Sequence, residues 1–173
     1  MGKVTVTNPN PTVAWGALYW QYFEQLDKIT PAQTPLSVSK KLFREVNTPT
    51  GPVIEPIDEK TAVKVGDKIV VRVELRSDRD MEYIHLKDMR ASAFEPANVL
   101  SGYRWQGGLG YYESTRDAST NFFIYYLPKG TFVFEYKLTV TQKGDFSNGI
   151  TSVQCMYAPE FSAHSEGARV QVK

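Results

Sequence analysis

The clearest regularity along the chain is a two-residue alternation of apolar and polar positions. In residues 130–141, Phe132, Phe134, Tyr136, Leu138 and Val140 fall on one face, with Thr131, Glu135, Lys137, Thr139 and Thr141 on the other; only Val133 interrupts the pattern. Successive side chains of a β-strand point to opposite sides, so this pattern predicts a strand with one buried face. Residues 68–76 repeat it, with Ile69, Val71, Val73 and Leu75 inward and Arg72, Glu74 and Arg76 outward. Val65-Gly66-Asp67 ahead of them reads as a turn. Residues 121–127 are apolar at nearly every position (Phe122, Phe123, Ile124, Tyr125, Tyr126), which predicts a central strand covered on both sides. Leu127-Pro128-Lys129-Gly130 then predicts a tight turn that joins this strand and the next as a hairpin. Further strands are expected at residues 4–7, 14–24, 36–45, 83–87, 150–157 and 168–172.

Residues 14–26 are ambiguous, because Trp15, Tyr19, Tyr22 and Phe23 are also spaced like one face of a helix. Their aromatic enrichment favours a strand. Residues 48–56 carry Pro49, Gly51, Pro52 and Pro56 and read as a loop or hairpin tip. Residues 105–110, with Gly107, Gly108 and Gly110, are expected to be a mobile loop. Many short strands separated by turn signals predict an all-β fold, a two-sheet antiparallel β-sandwich. The length of 173 residues fits a single domain. Residues 1–66 would supply its leading strands and a Pro-rich loop, and residues 67–173 its main part.

Composition narrows the function classes. Ten Tyr, nine Phe and three Trp suit half-buried strands and interfaces. A net charge of +1 speaks against nucleic acid as a partner, which normally needs clustered basic charge. No run of apolar residues is long enough to span a membrane. Cys155 is the single cysteine, so no internal disulfide can form. The N-terminus lacks an apolar signal core, which fits either a cytosolic protein or a fragment of a longer chain with Met1-Gly2 as an added start.

Candidate chemistry is sparse. His85 and His164 lack metal-ligand spacing and read as surface imidazoles. Cys155 reads as a small core residue; a thioester cysteine would need glutamine three positions on, where Ala158 stands. Asp78-Arg79-Asp80 lacks the glycine and glutamate of a calcium loop and reads as a solvated turn. Glu95, Glu113 and Asp117 could pair as glycosidase carboxylates, but nothing in the sequence brings two of them together. No catalytic residue, metal site or cofactor is therefore assigned, and the chain is read as a non-enzyme. Tyr103, Trp105, Tyr111 and Tyr112 flank the glycine-rich stretch as a candidate surface aromatic cluster, able either to stack on sugar rings or to cover the mouth of the sandwich. A free-standing adhesion or carbohydrate-binding module is thus the alternative function.

Several motifs occur in a specific order. Tyr83-Ile84-His85-Leu86-Lys87-Asp88 is followed by Ala93-Phe94-Glu95-Pro96, then Arg116-Asp117, Asn121-Phe122-Phe123 and Leu127-Pro128-Lys129-Gly130-Thr131. Gly144-Asp145-Phe146 and Met156-Tyr157-Ala158-Pro159-Glu160 come next. This collinear set resembles the C-terminal, last macroglobulin-like domain of bacterial alpha-2-macroglobulins. The stretch from Trp15 to Phe23 is similar to the segment that leads into that domain, so the resemblance covers nearly the whole chain. It departs from the family at Arg90-Ala91-Ser92-Ala93, which lacks the usual proline and glycine before Phe94. The resemblance implies a macroglobulin- or fibronectin-III-like sandwich within a long exported protein of the periplasm or cell surface. That parent would trap target proteases, and this domain would pack against other domains of the same chain, the thioester domain among them. Met156 and Tyr157 match a Met-Tyr pair that lies near this contact and helps keep water from the thioester. By strand alternation the two would point to opposite faces, so one of them is also a candidate for the core.

Overall fold

The computed structural model describes residues 3–19, 21–58, 61 and 63–173. It contains strands β1 (Leu36–Thr48), β2 (Gly51–Pro56), β3 (Lys68–Ser77), β4 (Met81–Met89), β5 (Phe94–Pro96), β6 (Gly102–Gln106) and β7 (Leu109–Thr115). β8 (Ser119–Leu127), β9 (Gly130–Val140), β10 (Gly144–Ser147), β11 (Thr151–Cys155), β12 (Ala158–His164) and β13 (Arg169–Val172) complete the set. Two antiparallel sheets carry the fold, one in the order β2-β1-β3-β9-β5 and one in the order β12-β11-β4-β8-β7-β6; β10 and β13 pair separately. This is the expected all-β sandwich.

The strands with clean alternation behave as the physics requires. Ile69, Val71, Val73 and Leu75 of β3 are buried, and so are Phe134, Leu138 and Val140 of β9. Phe132 and Tyr136 pack against that core while partly exposed. From the facing sheet come Ile84, Leu86, Phe122, Ile124 and Val153. Phe122 and Phe134 meet across the two layers with ring centroids 4.9 Å apart.

Several expectations are corrected. β8 and β9 do not form a hairpin: the Pro128-Lys129 turn carries the chain from the six-stranded sheet to the five-stranded one. Asp80 braces that corner, accepting hydrogen bonds from the Lys129 amide at 2.7 Å and the Tyr126 hydroxyl at 2.9 Å. Residues 121–127 are covered on one side only, because Phe122, Ile124 and Leu127 are buried whereas Phe123 and Tyr125 face solvent. Residues 48–51 do form a hairpin tip, between β1 and β2, but 51–56 are strand rather than loop. Residues 105–110 are no loop either; Gly107 and Gly108 turn β6 directly into β7. Gly107 has φ of +60°, and a side chain there would run into the Val133 carbonyl, so the turn is packed down on β9. Residues 4–7 and the described part of 14–24 form no strand and are exposed, while Trp20 lies outside the described residues.

One local distortion bears on the outer surface. Among the described residues, Tyr83 is the non-glycine residue with positive φ, at 55°. That conformation is disfavoured for a bulky side chain. It shifts the phase of β4: Ile84, Leu86 and Asp88 point inward at even positions, whereas Met81 is also buried and Glu82 is exposed. β8 changes phase opposite it, with Leu127 buried and its neighbour Tyr126 exposed.

Candidate interaction face

The outer face of the six-stranded sheet is where the unusual aromatic content emerges. Tyr83 of β4, Phe123 and Tyr125 of β8, Tyr103 and Trp105 of β6, and Met156 and Tyr157 all expose large apolar surface there or at its rim. The rings support one another. Tyr83 meets Tyr125 and Tyr157 edge-on, each at 5.0 Å between centroids. The His85 imidazole stacks on Phe123 at 4.8 Å and shares a 2.9 Å hydrogen bond between its Nε2 and Asn121 Oδ1. Edge-on and offset pairs of this kind are the favoured aromatic geometries.

Met156 and Tyr157 sit at the tip of the β11–β12 hairpin. β11 ends at Cys155, so the alternation that would have put one of the pair in the core stops one residue earlier. Both side chains are exposed, Met156 by 49% and Tyr157 by 78%. The tip is held in place: the Met156 amide donates to the Tyr83 carbonyl at 2.9 Å, and Cys155 Sγ lies 3.3 Å from the Glu82 carbonyl. Cys155 itself is buried.

The cluster expected around the glycines divides by strand parity. Tyr103, Trp105 and Tyr112 lie on the outer side, with Tyr103 and Tyr112 edge-on at 5.1 Å. Trp105 packs over Gly110, where any side chain would collide with the indole. Tyr111 leaves the cluster: it is buried between Phe122 and Phe134, and burial, reinforced by the nearby Glu113 charge, pushes its hydroxyl up to about 12. A shallow apolar groove runs between Tyr103, Trp105, Tyr112, Phe123, Tyr125 and Met156. Sequence reasoning missed Tyr83, Phe123 and Tyr125 as surface residues. The signal was present in the surplus of rings at outward positions of β8, but reading that strand as covered on both sides hid it.

The three candidate carboxylates are not brought together. Glu95 lies on β5, Glu113 on β7 and Asp117 in the turn after it; among the described residues no hydrogen bond or ion pair joins them. Glu113 is buried on β7, beside the edge strand β6 and 3.6 Å from Arg104, and loss of solvent raises its pKa against the opposing pull of that guanidinium. Among the described residues no group of three or more His, Cys, Asp or Glu side chains could hold a metal ion, and no helix is long and apolar enough to cross a membrane.

The family model of the bacterial alpha-2-macroglobulin MG10 domain matches residues 36–160. The chain belongs to that family. Alpha-2-macroglobulin from Salmonella, in a crystal structure of the protein reacted with methylamine, is similar with TM-score 0.66 and 15% identity, covering 84% of this chain and 10% of that one. Escherichia coli alpha-2-macroglobulin activated by porcine elastase is similar with TM-score 0.65 and 12% identity, covering 84% of this chain and 14% of that one. At these identities the structural likeness shows the fold. Circularly permutated Ras protein 2 of Dictyostelium discoideum is 22% identical over 108 residues, 62% of this chain and 3% of that protein. The MG10 domain described here thus spans only a small part of the proteins it resembles.

Proposed function

We propose that this MG10 domain is a non-catalytic part of a protease-trapping alpha-2-macroglobulin, and that the outer face of its six-stranded sheet packs against a neighbouring domain of the parent. The observation that carries this reading is the Met156–Tyr157 tip, fixed by the Tyr83 carbonyl and ring beside an uncovered aromatic sheet face. Monomeric proteins rarely leave contiguous apolar surface of this kind open, and such patches mark contact sites. Rings held rigid before association lose little freedom on binding, which favours them as anchors.

In a parent that carries a thioester, the contact would exclude water from it. The reactive bond survives where apolar groups replace solvent. The parent would be exported to the periplasm or cell surface, and its partners would be the target proteases. This domain alone would inhibit none. The test is the rate at which methylamine consumes the thioester of the parent. Met156→Ala and Tyr157→Ala should each accelerate it, whereas unchanged rates in both variants would remove the shielding role.

A second reading rests on the Trp105 indole over Gly110, which offers a platform for a sugar ring. A glycan array decides this: micromolar binding lost in Trp105→Ala would favour a carbohydrate-binding module.

A further inference from the structure

At one edge the two sheets do not match in width. β5 pairs with β9 at residues 138–140 only, so among the described residues the rest of that β9 edge has no strand beside it. The β6–β7 hairpin of the facing sheet reaches this bare edge. Its Gly107 turn packs on the Val133 carbonyl, and Gln106 Oε1 accepts from the Glu135 amide at 3.1 Å. Further along, the Lys137 carbonyl accepts from the Ala97 amide at 3.0 Å. Between these contacts an open cleft of about 480 Å³ lies against the inner sides of β6 and β7. Small-molecule sites span roughly 300–1,000 Å³.

The polar groups of the cleft are unusual for the inside of a sandwich. Leu109, Tyr111 and Glu113 are successive inward positions of β7, and all three are buried. A carboxylate thus stands where the alternation calls for an apolar side chain. Its side chain is 9% exposed, and Arg104 Nε at 3.6 Å is its ion-pair partner among the described residues. That separation exceeds the roughly 2.7–3.2 Å of a good hydrogen bond, so the acceptor capacity of Glu113 is largely unused. A buried polar group in this condition is costly. Gln106 presents the complementary capacity. Its Oε1 also accepts from the Tyr111 hydroxyl at 3.2 Å, which fills both lone pairs and fixes the amide. Its two N–H donors make no bond among the described residues.

Charge narrows the ligand. Glu135 and Lys137 also line the cleft but are engaged elsewhere, Glu135 with Arg72 at 2.6 Å and Lys137 with Glu45. Glu113 and Arg104 remain, one charge of each sign. A cation would meet the guanidinium and an anion the carboxylate. A hydroxyl suits both, since it donates to one group while accepting from the other. Pro96 and Tyr111 add apolar wall for the carbon side of such a ligand.

We propose that this cleft binds a neutral polyhydroxylated ligand, a sugar residue, with Glu113 as acceptor and Gln106 and Arg104 as donors. The site is separate from the outer sheet face and from the Trp105 platform, because Arg104 and Gln106 alternate with Trp105 and belong to the opposite side of β6.

Nuclear magnetic resonance titration of the 173-residue chain with glucose, galactose and N-acetylglucosamine tests it. At least one sugar should shift the Gln106 side-chain amide resonances saturably, with Kd tighter than about 10 mM. Glu113→Gln and Arg104→Met should each weaken that binding at least about tenfold, the loss expected for a charge-assisted hydrogen bond, while the rest of the spectrum keeps its folded dispersion. No saturable shift with any of the three sugars would overturn the proposal, and so would full affinity in both variants. Shifts confined to Tyr112 and Phe123 would also overturn it, by placing the sugar on the outer face. Failure of the outer-face reading would show at Met156 and Tyr157 and leave these results untouched.

Discussion

Lys40 Nζ lies 2.7 Å from Asp88 Oδ1, joining β1 of one sheet to β4 of the other across the interior. Neither side chain reaches solvent, at 3% and 0% exposure. The ammonium also donates to the Met89 carbonyl at 2.8 Å and the Asn148 carbonyl at 3.2 Å. Asp88 in turn accepts from Thr151 Oγ1 at 2.7 Å and from the Tyr136 hydroxyl. Loss of solvent around the hydroxyl of the half-buried Tyr136, and then the Asp88 charge, hold it well above its ordinary pKa, so it remains a donor. Removing one partner leaves the other charge buried without its counter-ion. Lys40→Met should therefore lower the unfolding free energy by about 3–5 kcal/mol, read by urea denaturation. A loss below about 1 kcal/mol would mean that the pair is solvated after all.

The β6–β7 turn offers a paired comparison. Gly107 and Gly108 both have positive φ, but a side chain at Gly107 meets the Val133 carbonyl while one at Gly108 meets open space. Alanine at either position strains the backbone by about 1–3 kcal/mol. Only Gly107→Ala should also lift the hairpin from β9, which would speed exchange of the Glu135 amide now bonded to Gln106 Oε1 at 3.1 Å. Equal exchange in the two variants would contradict the packed turn.

Glu113 provides a pH dependence. Its pKa is raised from 4.5 by burial, so the folded state holds this proton more tightly than the unfolded state does. Between the unfolded and the folded pKa the native chain binds more protons, and stability falls as pH rises through that window. Glu113→Gln cannot lose a proton, so its stability relative to the parent sequence should improve as pH is raised above about 4.5. Thermal melts of both chains across pH 4–7, a range set by the ordinary carboxylate pKa of roughly 4.3, check the sign. A difference that moves the other way would show the Arg104 pairing to outweigh burial.

The two faces of β8 should respond oppositely to truncation. Phe122→Ala empties a core position and should cost about 3–5 kcal/mol. Tyr125→Ser removes an outward ring and should change the stability of the isolated domain by about 0.5 kcal/mol or less. Circular dichroism melts of the two variants distinguish the faces.

The alternating strands were legible because one face must be apolar, and β3 and β9 show it in their composition. Sheet membership was not: the turn at Pro128-Lys129 looks local, yet whether it closes a hairpin or crosses between layers depends on contacts remote in sequence. For the same reason, rings on both sides of β8 look like a doubly covered strand when the second covering is missing. Met156 and Tyr157 were singled out through the motif that holds them, but their shared exposure follows from where β11 ends. Tyr83 had no sequence signal at all, since its left-handed backbone is set by the register between β4 and β8.

Hydroxyl-radical footprinting of the isolated domain and of the parent protein tests the central claim most directly. Tyr83, Phe123, Tyr125, Met156 and Tyr157 should be oxidised readily in the isolated chain and protected together in the parent, while the exposed Val53 and Val133 on the opposite sheet stay equally reactive in both. Unchanged labelling of the five in the parent would contradict the account, because the aromatic face would then have no domain to cover.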